Sequence, residues 1–124
     1  SGYQANIAIL SALLTNQDIV FSDEFNHASI IDGIRLTKAN KIIFPHRDYQ
    51  FLKDQLSNYC HINCLKIIIS ESLFSMDGTL ADIKILAELA QQFNALLIID
   101  EAHSTGLWGT SLVATHKLTH TVFA

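Results

Sequence analysis

Two short runs constrain this chain more than anything else in it: LKIIISES at 65–72 and ALLIID at 95–100. Each carries an unbroken apolar run, III at 67–69 and ALLII at 95–99, rather than an alternation of apolar and polar positions. A strand of that kind must be covered on both faces, and a parallel sheet sandwiched between helices covers it so.

The segments around them supply the helices. ADIKILAELAQQFN at 81–94 puts Ile83, Leu86, Ala87, Ala90 and Phe93 on one helical stripe. HASIIDGIRLTKA at 27–39 has helical spacing, with Ile30, Ile31, Ile34 and Leu36 forming its apolar side, and YQFLKDQLSNY at 49–59 is amphipathic. YQANIAILSALL at 3–14 is apolar on almost every side, which predicts a central helix. Further strands are predicted at DIVFSD, 18–23, and KIIFPH, 41–46, the latter closed by Pro45, and a turn is expected at MDGT, 76–79. LTHTVFA at 118–124 has the look of one more strand. Strand and helix alternate throughout, so the fold class is α/β with a mostly parallel sheet flanked by helices. Ligands of such a sheet gather beyond the carboxyl ends of the strands, where Asp23, Ser72 and Asp100 fall.

Composition removes several functions. The formal charge is −4 and no lysine or arginine run occurs, so the electrostatic footprint of a nucleic-acid partner is missing. The string DEAH at 100–103 matches the magnesium motif of helicases, but that motif needs a phosphate cradle ending in Gly-Lys. The glycines at 2, 33, 78, 106 and 109 never precede a lysine. CHINC offers Cys60, His61 and Cys64, three ligands where structural zinc takes four, and ordinary reduced thiols are the expectation, with no metal. No run approaches the roughly 18 apolar residues of a membrane span and no leader pattern opens the sequence, so a cytoplasmic protein without a membrane partner is expected.

Four segments, taken in order, resemble the α-oxoamine synthase family of pyridoxal-phosphate enzymes: SGYQAN at 1–6, SDEFNHASIIDGIRL at 22–36, ESLFSMDG at 71–78 and DEAHSTG at 100–106. The resemblance implies the aspartate-aminotransferase-like fold type I, pyridoxal 5'-phosphate as cofactor, acyl-CoA and amino-acid substrates joined with loss of carbon dioxide, and a homodimer. Within the family, SGYQAN is most similar to the biotin-pathway branch, which joins pimeloyl-CoA to L-alanine. Branches that use glycine with acetyl- or succinyl-CoA, or serine with a long acyl-CoA, stay open, as does a non-catalytic interaction module.

The same resemblance assigns residues. Asp100 matches the carboxylate facing the pyridine nitrogen, whose protonation makes the cofactor an electron sink. His103 and Ser75 match the neighbours of the phenolic oxygen, and His27 the imidazole stacked on the ring. Gly2 and Tyr3 match the phosphate site, where backbone N–H groups and a helix dipole favour an anion. Blander readings stand beside these: Asp100 or Ser75 as a turn residue, His27 as a helix-opening surface residue. Asn26 is expected to be the N-cap of the helix that presents His27. His46, His61, His116 and His120 carry no expected role.

The family's Schiff-base lysine should follow a strand such as LTHTVFA. None of Lys38, Lys41, Lys53, Lys66, Lys84 and Lys117 sits in that context, and GTSLVATH partly replaces the usual glycine-rich continuation of DEAH. Residues 1–124 are therefore expected to be part of a cofactor-binding large domain, lacking the N-terminal segment, the lysine region and the C-terminal domain, and inactive alone.

Overall fold

The computed structural model describes residues 14–71, 74, 78–100 and 121–123. The predicted helix at 3–14, apart from Leu14, and half of the MDGT turn lie outside them. In chain order the elements are β1 (Ile19–Asp23), α1 (Ala28–Arg35), β2 (Asn40–Phe44), α2 (Tyr49–Asn58), β3 (Lys66–Glu71), α3 (Ile83–Gln92), β4 (Leu96–Asp100) and β5 (Thr121–Phe123). The strands form one sheet in the order β2-β1-β3-β4-β5, and every pairing among them is parallel.

The unbroken apolar runs now have a cause. All six residues of β3 and all five of β1 are buried. Alternate residues serve opposite faces: Ile19, Phe21, Ile68, Leu97 and Ile99 pack with Leu52 and Leu56 of α2 and Leu86 and Ala90 of α3. Val20, Ile67, Ile69 and Ile98 pack with Ile30 and Ile34 of α1. With helices on both sides, no strand position of the inner sheet can be polar without a partner. β2 has only β1 beside it and is mostly exposed, keeping Phe44 alone buried before Pro45 stops the ladder.

The helix ends follow from side-chain chemistry. Asp48 and Asp82 cap α2 and α3, accepting from the amides of Phe51 at 3.0 Å and Ile85 at 3.1 Å. The amide of Asp82 donates in turn to the Tyr49 hydroxyl at 2.8 Å, which docks the start of α3 on α2. α3 stops at Asn94, whose φ of 54° is left-handed. There the Ala95 amide reaches back to the Ala90 carbonyl at 2.8 Å and the Asn94 amide to that of Gln91 at 3.4 Å. Asparagine tolerates that conformation better than most residues, so the helix ends cleanly and β4 begins two residues later.

One expected helix is too long. The stretch 27–39 is helical only to Arg35, and Leu36, placed by its spacing on the apolar side, is 79% exposed. The Thr37 hydroxyl donates to the Ile34 carbonyl at 2.7 Å, and the amides of Leu36 and Thr37 bond three residues back. This tighter turn rotates Leu36 off the helical stripe so that the chain can enter β2 at Asn40.

Asp18 organises the opposite, amino end of the sheet. Its carboxylate accepts from the Thr15 amide at 2.7 Å and hydroxyl at 3.3 Å, and from the Leu65 amide at 2.9 Å. The Thr15 amide above all, helped by that of Leu65, holds the carboxyl below its ordinary value of 3.8 against the opposing effect of burial. A depressed acid contributes stability above its unfolded value and loses it as pH falls through the folded one. In the complete polypeptide that carries this segment, Asp18→Ala is expected to cost about 1–3 kcal/mol at neutral pH, measured by urea denaturation. The gap between variant and parent should close as pH is lowered below 3.8.

Candidate functional site

The carboxyl edge of the sheet gathers polar side chains that the apolar interior excludes. β1 ends on Asp23, β3 on Glu71 and β4 on Asp100, with Asp23 in register with Phe44 and Glu71 in register with Asp100. Asp23 and Glu71 are each 1% exposed, so their carboxyl groups are taken from water and need hydrogen-bond partners.

Glu71 is held partly by the chain that leaves β1. Its Oε2 accepts from the His27 amide at 3.1 Å. His27 is exposed, and its carbonyl accepts the amides of Ile30 and Ile31, the first bonds of α1. A buried carboxylate thus fixes the backbone of a residue whose imidazole faces outward at the ligand edge. This placement suits the stacking role expected of His27, since a planar ring needs a firm mount and an accessible face.

Asn26 does something other than cap α1. The helix begins at Ala28, and His27 occupies the cap position. Asn26 is buried, and its Nδ2 donates to the Ile69 carbonyl at 2.9 Å and the Ser22 hydroxyl at 2.8 Å. Its Oδ1 accepts from the Glu71 amide at 3.2 Å. A carbonyl can only accept and an amide only donate, so these partners fix the side-chain orientation. Asn26 is therefore a bridge from the β1 exit to the end of β3. The capping expectation fails because β3 offers a buried carbonyl and amide that only a carboxamide can satisfy together.

Sequence reasoning passed over His46. It follows Pro45 at the end of β2, and its Nδ1 lies 2.9 Å from Asp23 Oδ1 while its Nε2 lies 2.8 Å from the Thr79 hydroxyl. Phe25 stacks on the imidazole at 4.1 Å with a 16° interplanar angle, and Phe74 meets it edge-on at 4.6 Å. Asp23 also accepts the amides of Phe25 at 2.8 Å and Arg47 at 3.0 Å. Arg47 takes the left-handed φ of 58°, a conformation unfavourable for a side chain that Asp23 helps hold. A histidine directly after a proline that ends a strand at the ligand edge was the available signal.

The other expected site residues are less fully seen. Gly2, Tyr3, Ser75 and His103 lie outside the described residues, as does Ser72. Asp100 is placed by its backbone as the last residue of β4. β1 and β4 flank β3, so at about 4.8 Å per strand spacing the exits carrying His27 and Asp100 stand roughly 10 Å apart. That separation leaves room for one heterocycle. Lys66 belongs to the amino edge, its ammonium donating to the Ile62 carbonyl at 3.1 Å. Cys60 and Cys64 are free thiols there, and among the described residues no cluster of His, Cys, Asp and Glu could hold a metal ion.

Asn26→Asp keeps the shape but turns the donor toward the Ile69 carbonyl into an acceptor. It is expected to destabilise the complete protein as much as Asn26→Ala, by about 2–4 kcal/mol in denaturant unfolding, since buried polar groups lose their partners.

Residues 1–122 match the family model described as aminotransferase class I and II. The chain is 45% identical over 109 residues to 8-amino-7-oxononanoate synthase of Chlorobaculum parvum, covering 88% of this chain and 28% of that protein. Identity to the enzyme of the same name from Petrotoga mobilis is 44% over 110 residues, with the same coverage. The chain thus spans 28% of the length of these relatives. Among solved structures, 8-amino-7-oxononanoate synthase from Francisella tularensis superposes with a TM-score of 0.77 at 32% identity, covering 99% of this chain and 36% of that one. Serine palmitoyltransferase from S. paucimobilis with a bound PLP-myriocin aldimine gives 0.77 at 33%, covering 86% and 26%.

Proposed function

This chain belongs to the aminotransferase class I and II family, and we propose that the complete protein is a pyridoxal-phosphate acyltransferase of the α-oxoamine synthase group. In this reading it condenses an acyl-CoA with an amino acid, releasing carbon dioxide and free CoA. The substrates we propose are pimeloyl-CoA and L-alanine, giving 8-amino-7-oxononanoate. The observation that carries the reading is the mounting of His27. Exposed His27, anchored through its backbone by buried Glu71, follows β1, which β3 alone separates from the strand ending at Asp100, within a chain about 45% identical to 8-amino-7-oxononanoate synthases.

When bound, pyridoxal phosphate supplies an electron sink for the substrate's α-carbon. The chain's residues set the conditions for it. The carboxylate of Asp100 would serve the ring nitrogen and favour its protonated form. His27 would stack on the ring. His103 and Ser75 would bond the phenolic oxygen, and the backbone at Gly2 and Tyr3 would receive the phosphate. No lysine in residues 1–124 is assigned the covalent link. We propose that the protein works as a homodimer. Among the described residues no helix is long and apolar enough to cross a membrane.

The likeness to serine palmitoyltransferase makes serine with a long acyl-CoA the competing pair. The complete protein should be assayed for CoA and carbon dioxide release with pimeloyl-CoA and alanine, palmitoyl-CoA and serine, and acetyl- or succinyl-CoA and glycine. Turnover is expected to be greatest with the first pair. A preference for another pair would move the protein to another branch, and no turnover with any would remove the acyltransferase reading. Asp100→Asn is expected to lower kcat by roughly 10- to 1,000-fold with cofactor still bound, equivalent to losing one to three pKa units of ring-proton stabilisation.

A further inference from the structure

The Asp23–His46–Thr79 chain joins three segments that the sheet alone leaves separate: the end of β1, the turn after β2, and the loop between β3 and α3. Asp23 is already bonded to two backbone amides, so it is a fixed anchor. As a carboxylate it accepts from His46 Nδ1, which directs Nε2 toward the Thr79 hydroxyl. The backbone of His46 is fixed as well, its amide donating to Glu24 Oε1 at 2.8 Å.

The loop it reaches is closed at its base. The Phe74 amide donates to the Thr79 carbonyl at 2.8 Å, and the Gly78 amide to the Phe74 carbonyl at 2.8 Å. His46 touches both sides of that base, Thr79 through its hydroxyl and Phe74 through the edge-on ring contact. One imidazole therefore grips both ends of the segment in which Ser75 stands. Core packing alone does not call for such a group: a polar ring wedged between Phe25 and Phe74 needs two hydrogen-bond partners, whereas an apolar side chain would need none.

We infer that His46 is a positioning residue: anchored on Asp23, it sets the base of the 74–79 loop through Thr79 and Phe74, and through that base it supports cofactor binding by the loop that carries Ser75 in sequence. The last step rests on the proposed function; the gripping of the loop does not.

The test uses the complete protein. Thr79→Val removes the hydroxyl, His46→Asn keeps a donor near Asp23 but falls short of Thr79, and Thr79→Ser restores the hydroxyl. In the cofactor-free protein, hydrogen exchange at the Phe74 and Gly78 amides should quicken about fivefold or more in the first two variants, while Ile68 and Leu97 in the sheet keep their rates. The double variant should exchange no faster than either single one, because both cut the same link. Thr79→Ser should return the parent rates. The dissociation constant for pyridoxal phosphate, followed by its absorbance, should rise about fivefold in the same two variants and recover in the serine variant. Unchanged exchange at Phe74 and Gly78, faster exchange spread equally through the sheet, or failure of the serine variant to restore it would each overturn the positioning role. Quickened local exchange with unaltered cofactor affinity would overturn the link to the cofactor. Should the parent take up no pyridoxal phosphate at all, the proposed function fails, while the exchange rates still decide whether His46 sets the loop.

Discussion

β1 and β3, the two fully buried strands, are fastened together beyond both ends of their ladder by side chains. At the entry, Asp18 from the turn before β1 accepts the Leu65 amide just before β3. At the exit, Asn26 from the turn after β1 takes the Ile69 carbonyl and the Glu71 amide. A parallel pair cannot be closed by a hairpin, so its register depends on crossovers and on whatever fixes its ends. Here two short polar side chains do that work where backbone pairing gives out. The rest depends on it, because Asp23, Glu71 and His27 take their places from where β1 and β3 stop.

The exit is also where the fold stops being apolar. Inside the inner strands the few polar side chains, Ser22 and Ser70 among them, turn back onto the backbone, and at the exit Asp23 and Glu71 are almost wholly buried. Asp23 accepts the amides of Phe25 and Arg47, and Glu71 accepts that of His27. Amide donors are supplied by the fold itself, so these polar groups are held in fixed places. That combination suits a ligand whose orientation must be held closely.

Much of this was legible in the sequence, for a physical reason. Runs such as LKIIISES and ALLIID ask for cover on both faces, and their alternation with helical segments pointed to the parallel sheet and its helical cover. Local rules failed where a distant partner decided the outcome. Asn26 has the right chemistry for an N-cap and sits next to a helix, but β3, more than forty residues away in sequence, takes its carboxamide. Leu36 fits the helical stripe until Thr37 tightens the turn. His46 looked ordinary because its partners, Asp23 and Thr79, are 23 and 33 residues distant. The family resemblance named His27 and Asp100, and the fold gives them a common edge; it could not name the residues that hold such positions from behind.

The left-handed stop at Asn94 reaches further than the end of a helix. α3 terminates on a defined residue and β4 starts almost at once, so Asp100 is counted from a fixed origin, six residues on. Strand residues alternate in facing, and an added or deleted residue between the two would exchange the sets that β4 turns toward its two helical layers. The helix end is in this sense the zero mark of a ruler. Side chains along it can be exchanged for others that fill the same space, but the interval cannot change without re-facing the whole strand.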